Sequence, residues 1–480
     1  MNKIENPPWI AFLFSAIAGG MGWGIRGQYG HETGAMLAGL LVALVLVNLY
    51  GHNLSSLSTA RAVALATIAI GFGGSMTYGQ TLGLTQDVDL IGNYEALRWG
   101  LLGTFIKGSI WIGFFGLFLG LGLSKINYKF IEIALAMISA IFMLYIGIFL
   151  LNEPFDPTAK KLPMIYFSDH WYWEPNETLK PRREQWGGLL FALGWLISFV
   201  NFIKKDTLAR NMSLWGMLAG GLGFSIGQGV QSYHAWNIEA IKTSWLSDLE
   251  PYINWWNMME ITFGAVFGFV IAFGLWLNRH HIGHKKSSDN IHINFNTEMG
   301  LLAIHILAIA SWNFISFSTF DWFADRAITM GLIPIFCIIT GKYWPYLVCL
   351  PITAFPIAGK TLKHMAYRTN DLNLIIGWVF ILIIPITIAI WFNKKVINDA
   401  VRHDDSLHFT RLTLIFSTLF YFIMNWTIFR FPWPWTEWTN RTFSGIIFIF
   451  CASGLLFFAQ YFDSRNGKWQ FKKRSWESNW

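Results

Sequence analysis

The sequence predicts an all-α polytopic membrane protein with about fourteen transmembrane helices. Three observations predict it. Of 480 residues, 54% are hydrophobic and only 13% charged, against about 25% charged in a soluble domain. Apolar runs of roughly 18 residues or more recur from end to end, each long enough to cross a bilayer as a helix. The short alternating segments that a transmembrane β-barrel needs do not occur.

The spans fall at 9–25, 34–50, 61–79, 96–124, 129–151, 185–203, 212–229, 255–278, 299–319, 327–341, 344–358, 372–392, 408–429 and 442–462. The pair 327–341 and 344–358 is short and interrupted by Pro345 and Pro351, so it also reads as one broken or re-entrant element. Lys3, Glu5 and Pro7-Pro8 precede the first span with no cleavage pattern, so that helix is expected to be retained.

Loop charge sets the orientation. Arg61, Lys125 with Lys129, Lys204-Lys205 with Arg210, Arg279 with Lys285-Lys286, and Lys394-Lys395 follow alternate spans, and the tail carries Lys472-Lys473-Arg474. Cytoplasmic loops hold such an excess, so both termini are expected inside a plasma (inner) membrane. The opposite loops are acidic or aromatic. Residues 359–371, with Lys360, Lys363, His364 and Arg368, break the pattern. Either the span count near 327–358 is wrong, or that loop meets something anionic. The net charge of +7 lies in these short loops and does not suggest nucleic acid. Cys337, Cys349 and Cys451 lie in apolar segments and form no disulfide or metal spacing.

The chain is organised around three glycine-dense runs, 19–32, 71–80 and 220–228, each closing in Gly-Gln at Gln28, Gln80 and Gln228. A glutamate opens each following span: Glu32, Glu95 and Glu260. Glu32 through Asn48 also aligns with Glu184 through Asn201. Spans 1–4 therefore read as duplicated in spans 5–8, with repeats at about 9–125 and 129–278. A unit of four spans keeps its topology, which relates the halves by an axis near the membrane normal. The duplicated domain occupies 1–278, a linker 279–297, a second helical bundle 298–462 and a basic tail 463–480.

Glycine in an apolar helix has two readings. Gly20-xxx-Gly24, Gly223-xxx-Gly227 and Gly264-xxx-Gly268 fit close helix packing. Alternatively the runs unwind, and freed backbone groups bind a ligand, as in transporters with discontinuous helices. On that second reading, Arg26, Gln28, His31, Gln80 and Gln228, with the aromatic Trp23 and Tyr78 of the same runs, bind a small polar solute. Glu32, Glu260 and Glu95 would couple it to H⁺ or Na⁺. Glu95 and Glu184 also suit an ordinary interfacial place at a helix start. Lys107 is the other mid-span charge and has no partner nearby in sequence.

Tyr166 to Glu174 is rich in rings and acids, which suits either an interfacial belt or a sugar site. The histidines His280, His281, His284 and His292 lie on a soluble basic linker with no acid or cysteine to complete a metal site. No phosphate-binding Gly-x-x-x-x-Gly-Lys motif, hydrolase elbow or His-Glu-x-x-His occurs, so no catalytic residue, metal or organic cofactor is assigned. The function expected is secondary transport of a sugar, sugar acid or organic anion. The alternative is a membrane-embedded transferase using a lipid-linked donor at the outer face, built on loops 163–186 and 359–371. The partners expected are membrane lipid and the solute; oligomeric state has no signal.

Overall fold

The structure, a computed structural model, describes residues 7–26, 31–76, 78–169, 181–283, 291–314, 331–355, 378–427 and 432–470. Eight helices among the described residues are long and apolar enough to cross a membrane, and three shorter apolar helices accompany them. The only named strands there are the two-residue β1 (Phe462–Asp463) and β2 (Lys468–Trp469). The chain is a multi-pass α-helical membrane protein.

The first helices are α1 (Pro8–Arg26), α2 (His31–Tyr50), α3 (Ser56–Gly73), the short α4 (Gly79–Gln86) and α5 (Tyr94–Leu123). Next come α6 (Phe130–Leu151), α7 (Trp186–Ser198, continued by a π turn to Ile203), α8 (Thr207–Trp236), α9 (Ile238–Lys242) and α10 (Trp255–Asn278). The C-terminal part holds α11 (Phe295–Phe314), α12 (Ile333–Thr340), α13 (Trp344–Leu347), α14 (Ile384–His403), α15 (Ser406–Thr427) and α16 (Thr442–Tyr461). Starts are set by side chains that accept orphan backbone N–H groups: Ser55 for α3, Asn93 for α5, Asp206 for α8 and Asn254 for α10.

Helices α1, α2, α3, α5, α8 and α10 form a ring. Each packs antiparallel on the next, and α10 returns to α1. The end where α1 finishes and α5 begins is called upper here. Glycine makes the tightest of these contacts. A methyl group on Gly19 would run into the carbonyl of Gly264, and one on Gly108 into the carbonyl of Gly220. Backbone therefore meets backbone at α1–α10 and α5–α8, the close approach that small residues allow in lipid. Helices α6 and α7 pair beside α5, while α15 and α16 lean on α1 and α2 from the other side.

The glycine runs behave differently from one another. Helix α1 continues through Gly19–Gly24, and α8 continues through Gly220–Gly229. The second run is interrupted. Helix α3 stops at Gly73 against Trp111, the middle of α5, and the chain restarts as α4 at Gly79. Thr81 and Thr85 of α4 then track Gly103 and Gly100 of α5 towards the upper end. Thus α3 and α4 are two pieces of one broken helix, and the expected span 61–79 ends early. Trp111 Nε1 donates to Ile70 O at 2.8 Å, alongside the Gly74 N–H that this carbonyl also accepts, and so fastens the last turn of α3 to α5.

Candidate functional site

The middle of the ring is filled by rings. Phe224 and Phe263 stack at 4.9 Å, and Trp23 lies on Phe263 at 4.1 Å. Trp111 packs against Trp23 at 5.1 Å, and Tyr78 reaches Trp111 and Phe224 at 5.8 and 5.4 Å. Trp23 and Tyr78, both expected near a solute, therefore share one aromatic floor, contributed by α1, α5, α8, α10 and the α3–α4 break. Trp23, Trp111, Phe224 and Phe263 are at most 1% exposed, and Tyr78 is 5% exposed.

One helical turn above that floor, side chains become polar. Four residues above Trp111 on α5 is Lys107; four above Phe224 on α8 is Gln228; three above Phe263 on α10 is Glu260. Spacings of three and four residues keep one helix face, so these groups lie over the rings they follow.

Lys107 is 1% exposed and Glu184 3%, and they form an ion pair with Nζ 2.6 Å from Oε1. Nζ also donates to Thr81 Oγ1 at 2.7 Å, and that hydroxyl donates to Phe167 O at 2.6 Å. The other Glu184 oxygen accepts from Phe167 N and Trp186 Nε1. A charge removed from water is tolerable only with this degree of pairing. The pair ties the loop before α7 to α5 and, through Thr81, to α4. Sequence spacing hid it because the partners are 77 residues apart; the one available signal was two buried-segment charges of opposite sign.

Gln228 is fully buried, and its Nε2 donates to Thr85 Oγ1 at 2.6 Å. Glu260 is 1% exposed and accepts from Trp256 Nε1 at 3.3 Å and Asn257 Nδ2 at 3.2 Å. Asn257 Nδ2 also reaches Gly24 O of α1 at 2.8 Å. Three buried carbonyl oxygens in this layer, Gln228 Oε1, Gln231 Oε1 and Asn257 Oδ1, find no hydrogen-bond partner among the described residues. Such acceptors match hydroxyl or ammonium donors, or a small cation.

The remaining expected residues divide. Gln80 is half-buried at the start of α4, accepting from Ser168 Oγ at 3.2 Å and Arg182 N at 3.1 Å. Gly79 beside it is exposed, with open space where a Cβ would stand. Glu95 is exposed in the first turn of α5, beside the Asn93 cap and three turns above Lys107. Gln28 lies outside the described residues, as do the side chains of Arg26, His31 and Glu32, loop 170–180 and loop 359–371. Above Gln80, Asp87 and Asp169 approach each other over Gly83. Burial first, then the hydrogen bond and charge of Asp169, push the Asp87 carboxyl up to about 6. Comparison with protein-family models, curated proteins and solved structures finds no match for this chain.

Proposed function

We propose that the protein is a secondary active transporter of a small polar solute that is rich in hydroxyl groups, a sugar or sugar acid, coupled to H⁺ or Na⁺. The carrying observation is the polar layer over the aromatic floor. Buried Lys107–Glu184, Glu260 and three unpartnered carbonyl oxygens lie between the middle and the upper end of the ring, beside the helix that is interrupted there. Ionisable groups within membrane helices mark solute or ion paths, and broken helices supply the binding backbone. The unpartnered acceptors favour a donor-rich solute. Glu260, a carboxylate beside the neutral amide of Asn257 rather than in an ion pair with Lys107, is the group best suited to take up the coupling ion.

The tandem repeat belongs to the same reading. It is supported by the matching antiparallel pairs α3–α5 and α8–α10, with Gln80 and Gln228 at their upper ends. The basic loops support an inner-membrane orientation with both termini cytoplasmic.

A thermal-shift screen on the purified protein tests binding, since a ligand of the native state raises its midpoint. A sugar or sugar acid should raise it, and uptake into vesicles should follow a pH or Na⁺ gradient. Glu260→Gln should abolish coupled uptake while leaving the midpoint near that of wild type. Uptake by Glu260→Gln equal to wild type would remove Glu260 as the coupling group. No shift by any sugar, sugar acid or organic anion, with no uptake, would remove the transport reading.

A further inference from the structure

The observation that carries furthest lies outside this site, on α15. Thr410, Thr413, Ser417, Thr418, Tyr421 and Asn425 all sit within one half of that helix at about 100° per residue. Each of Thr410, Thr413, Ser417, Thr418 and Asn425 is at most 1% exposed. Elsewhere in the molecule, several buried polar side chains on helices bond back to their own carbonyls four residues earlier. Thr67 does so to Val63 O, Thr340 to Phe336 O, Asn278 to Gly274 O and Asn393 to Ala389 O. On α15, Thr410 does so to Ser406 O and the Tyr421 hydroxyl pairs with Thr353 Oγ1, but the rest of the stripe has no such bond. Thr413 Oγ1, Ser417 Oγ, Thr418 Oγ1 and both ends of the Asn425 carboxamide have no partner among the described residues.

Four such residues along a membrane helix need an explanation, because hydrocarbon offers them nothing. Hydroxyls four residues apart on one face are about 6 Å apart along the axis, which one bridging water spans with two ordinary hydrogen bonds. The lower end continues the chain of polar groups. Thr410 Oγ1 accepts from Asn48 Nδ2 at 3.0 Å, and Asn48 Oδ1 accepts from Ser464 Oγ at 2.7 Å. Ser464 adjoins Asp463, whose carboxylate holds Asn466 and Gln470. The upper end is closed by apolar surface, where Trp426 stacks on Trp433 at 4.5 Å.

We propose that this face of α15 lines a narrow water-filled half-channel. It runs from the Asn48–Ser464–Asp463 cluster at the lower end past Ser417 and Tyr421 to Asn425, and stops beneath the Trp426–Trp433 stack. Bound water in single file completes the hydrogen bonds of the stripe, as internal water does wherever polar groups enclose enough room. The half-channel is separate from the layer at Lys107 and Glu260, and its failure would leave that reading standing.

Hydroxyl-radical footprinting of the full-length protein by brief X-ray pulses tests it, because buried residues oxidise quickly only beside water. Tyr421 and Met424, each 2% exposed, should oxidise several-fold faster than the equally buried Trp111 and Phe224 of the aromatic floor. Protection of Tyr421 and Met424 equal to that of Trp111 would overturn the proposal. Thermal midpoints give a second readout. Ser417→Ala and Thr418→Val should lower the midpoint by removing water-mediated bonds, and should slow Tyr421 oxidation. A raised midpoint would mean that dry, unsatisfied hydroxyls had been removed, and would also overturn it.

Discussion

Lys107 shows how a single residue can be recognised from sequence and yet misjudged. Its charge in the middle of an apolar span marks it as unusual, but its partner Glu184 arrives from a distant loop. Removing one member of a buried pair leaves the other uncompensated, at a cost of about 3–5 kcal/mol, whereas replacing both by apolar groups is often neutral. Lys107→Met should therefore unfold at much lower denaturant or temperature than wild type. Lys107→Met combined with Glu184→Met should recover most of that loss in a double-mutant cycle. Additive losses would mean that the pair is not the source of the effect. Asp87 gives a pH signature of its own. Its carboxyl is raised from 3.8 to about 6 in the fold, so the native state binds the proton more tightly than the unfolded chain. The contribution is complete below about pH 4 and is lost as pH rises through 6. Stability should fall across that window in wild type, and the slope should flatten in Asp87→Asn when melting is followed from pH 4 to 7.

At the scale of elements, the glycine runs turn out to do two jobs. In α1 and α8 they let helices touch backbone to backbone; between α3 and α4 they coincide with a break. Gly108→Ala should destabilise by about 1–3 kcal/mol through overpacking against Gly220. Gly229→Ala, on the same seam-forming helix α8 but with open space around it, should be neutral or stabilising by up to about 1 kcal/mol. Equal effects in thermal melts of the two variants would show that packing is not what the glycines supply. Helix positions were largely legible in the hydropathy, since Tyr94–Leu123, Phe130–Leu151 and Trp255–Asn278 coincide closely with spans 96–124, 129–151 and 255–278. The break was legible only as a cluster of glycines, because the same composition serves an unbroken helix when a neighbour fills its surface. Glu298 was passed over altogether. At 1% exposure it receives the backbone N–H groups of Lys342, Tyr343 and Trp344, so it anchors the start of α13. No pattern within 40 residues of it announces that role.

Across the whole molecule, orientation is the claim most open to direct measurement. If the basic loops face the cytoplasm, cysteines introduced at Lys125 or Lys468 will resist an impermeant thiol reagent in right-side-out vesicles. One introduced at exposed Val88 should react. The reverse labelling would invert the molecule and move the polar layer to the inner side of the aromatic floor.

Composition and hydropathy alone establish that this chain lives in a membrane as a set of helices, because lipid demands apolar length and internal hydrogen bonding from every span. They also single out the residue types that are expensive there: Lys107, Glu260, the glutamines and the glycines. Which of these meet depended on helices that close into a ring, since side chains far apart along the chain share a depth only after packing sets the register. That register alone put aromatic rings beneath the polar layer, joined Lys107 to Glu184, left Glu95 in the open, and turned the hydroxyls of α15 inward.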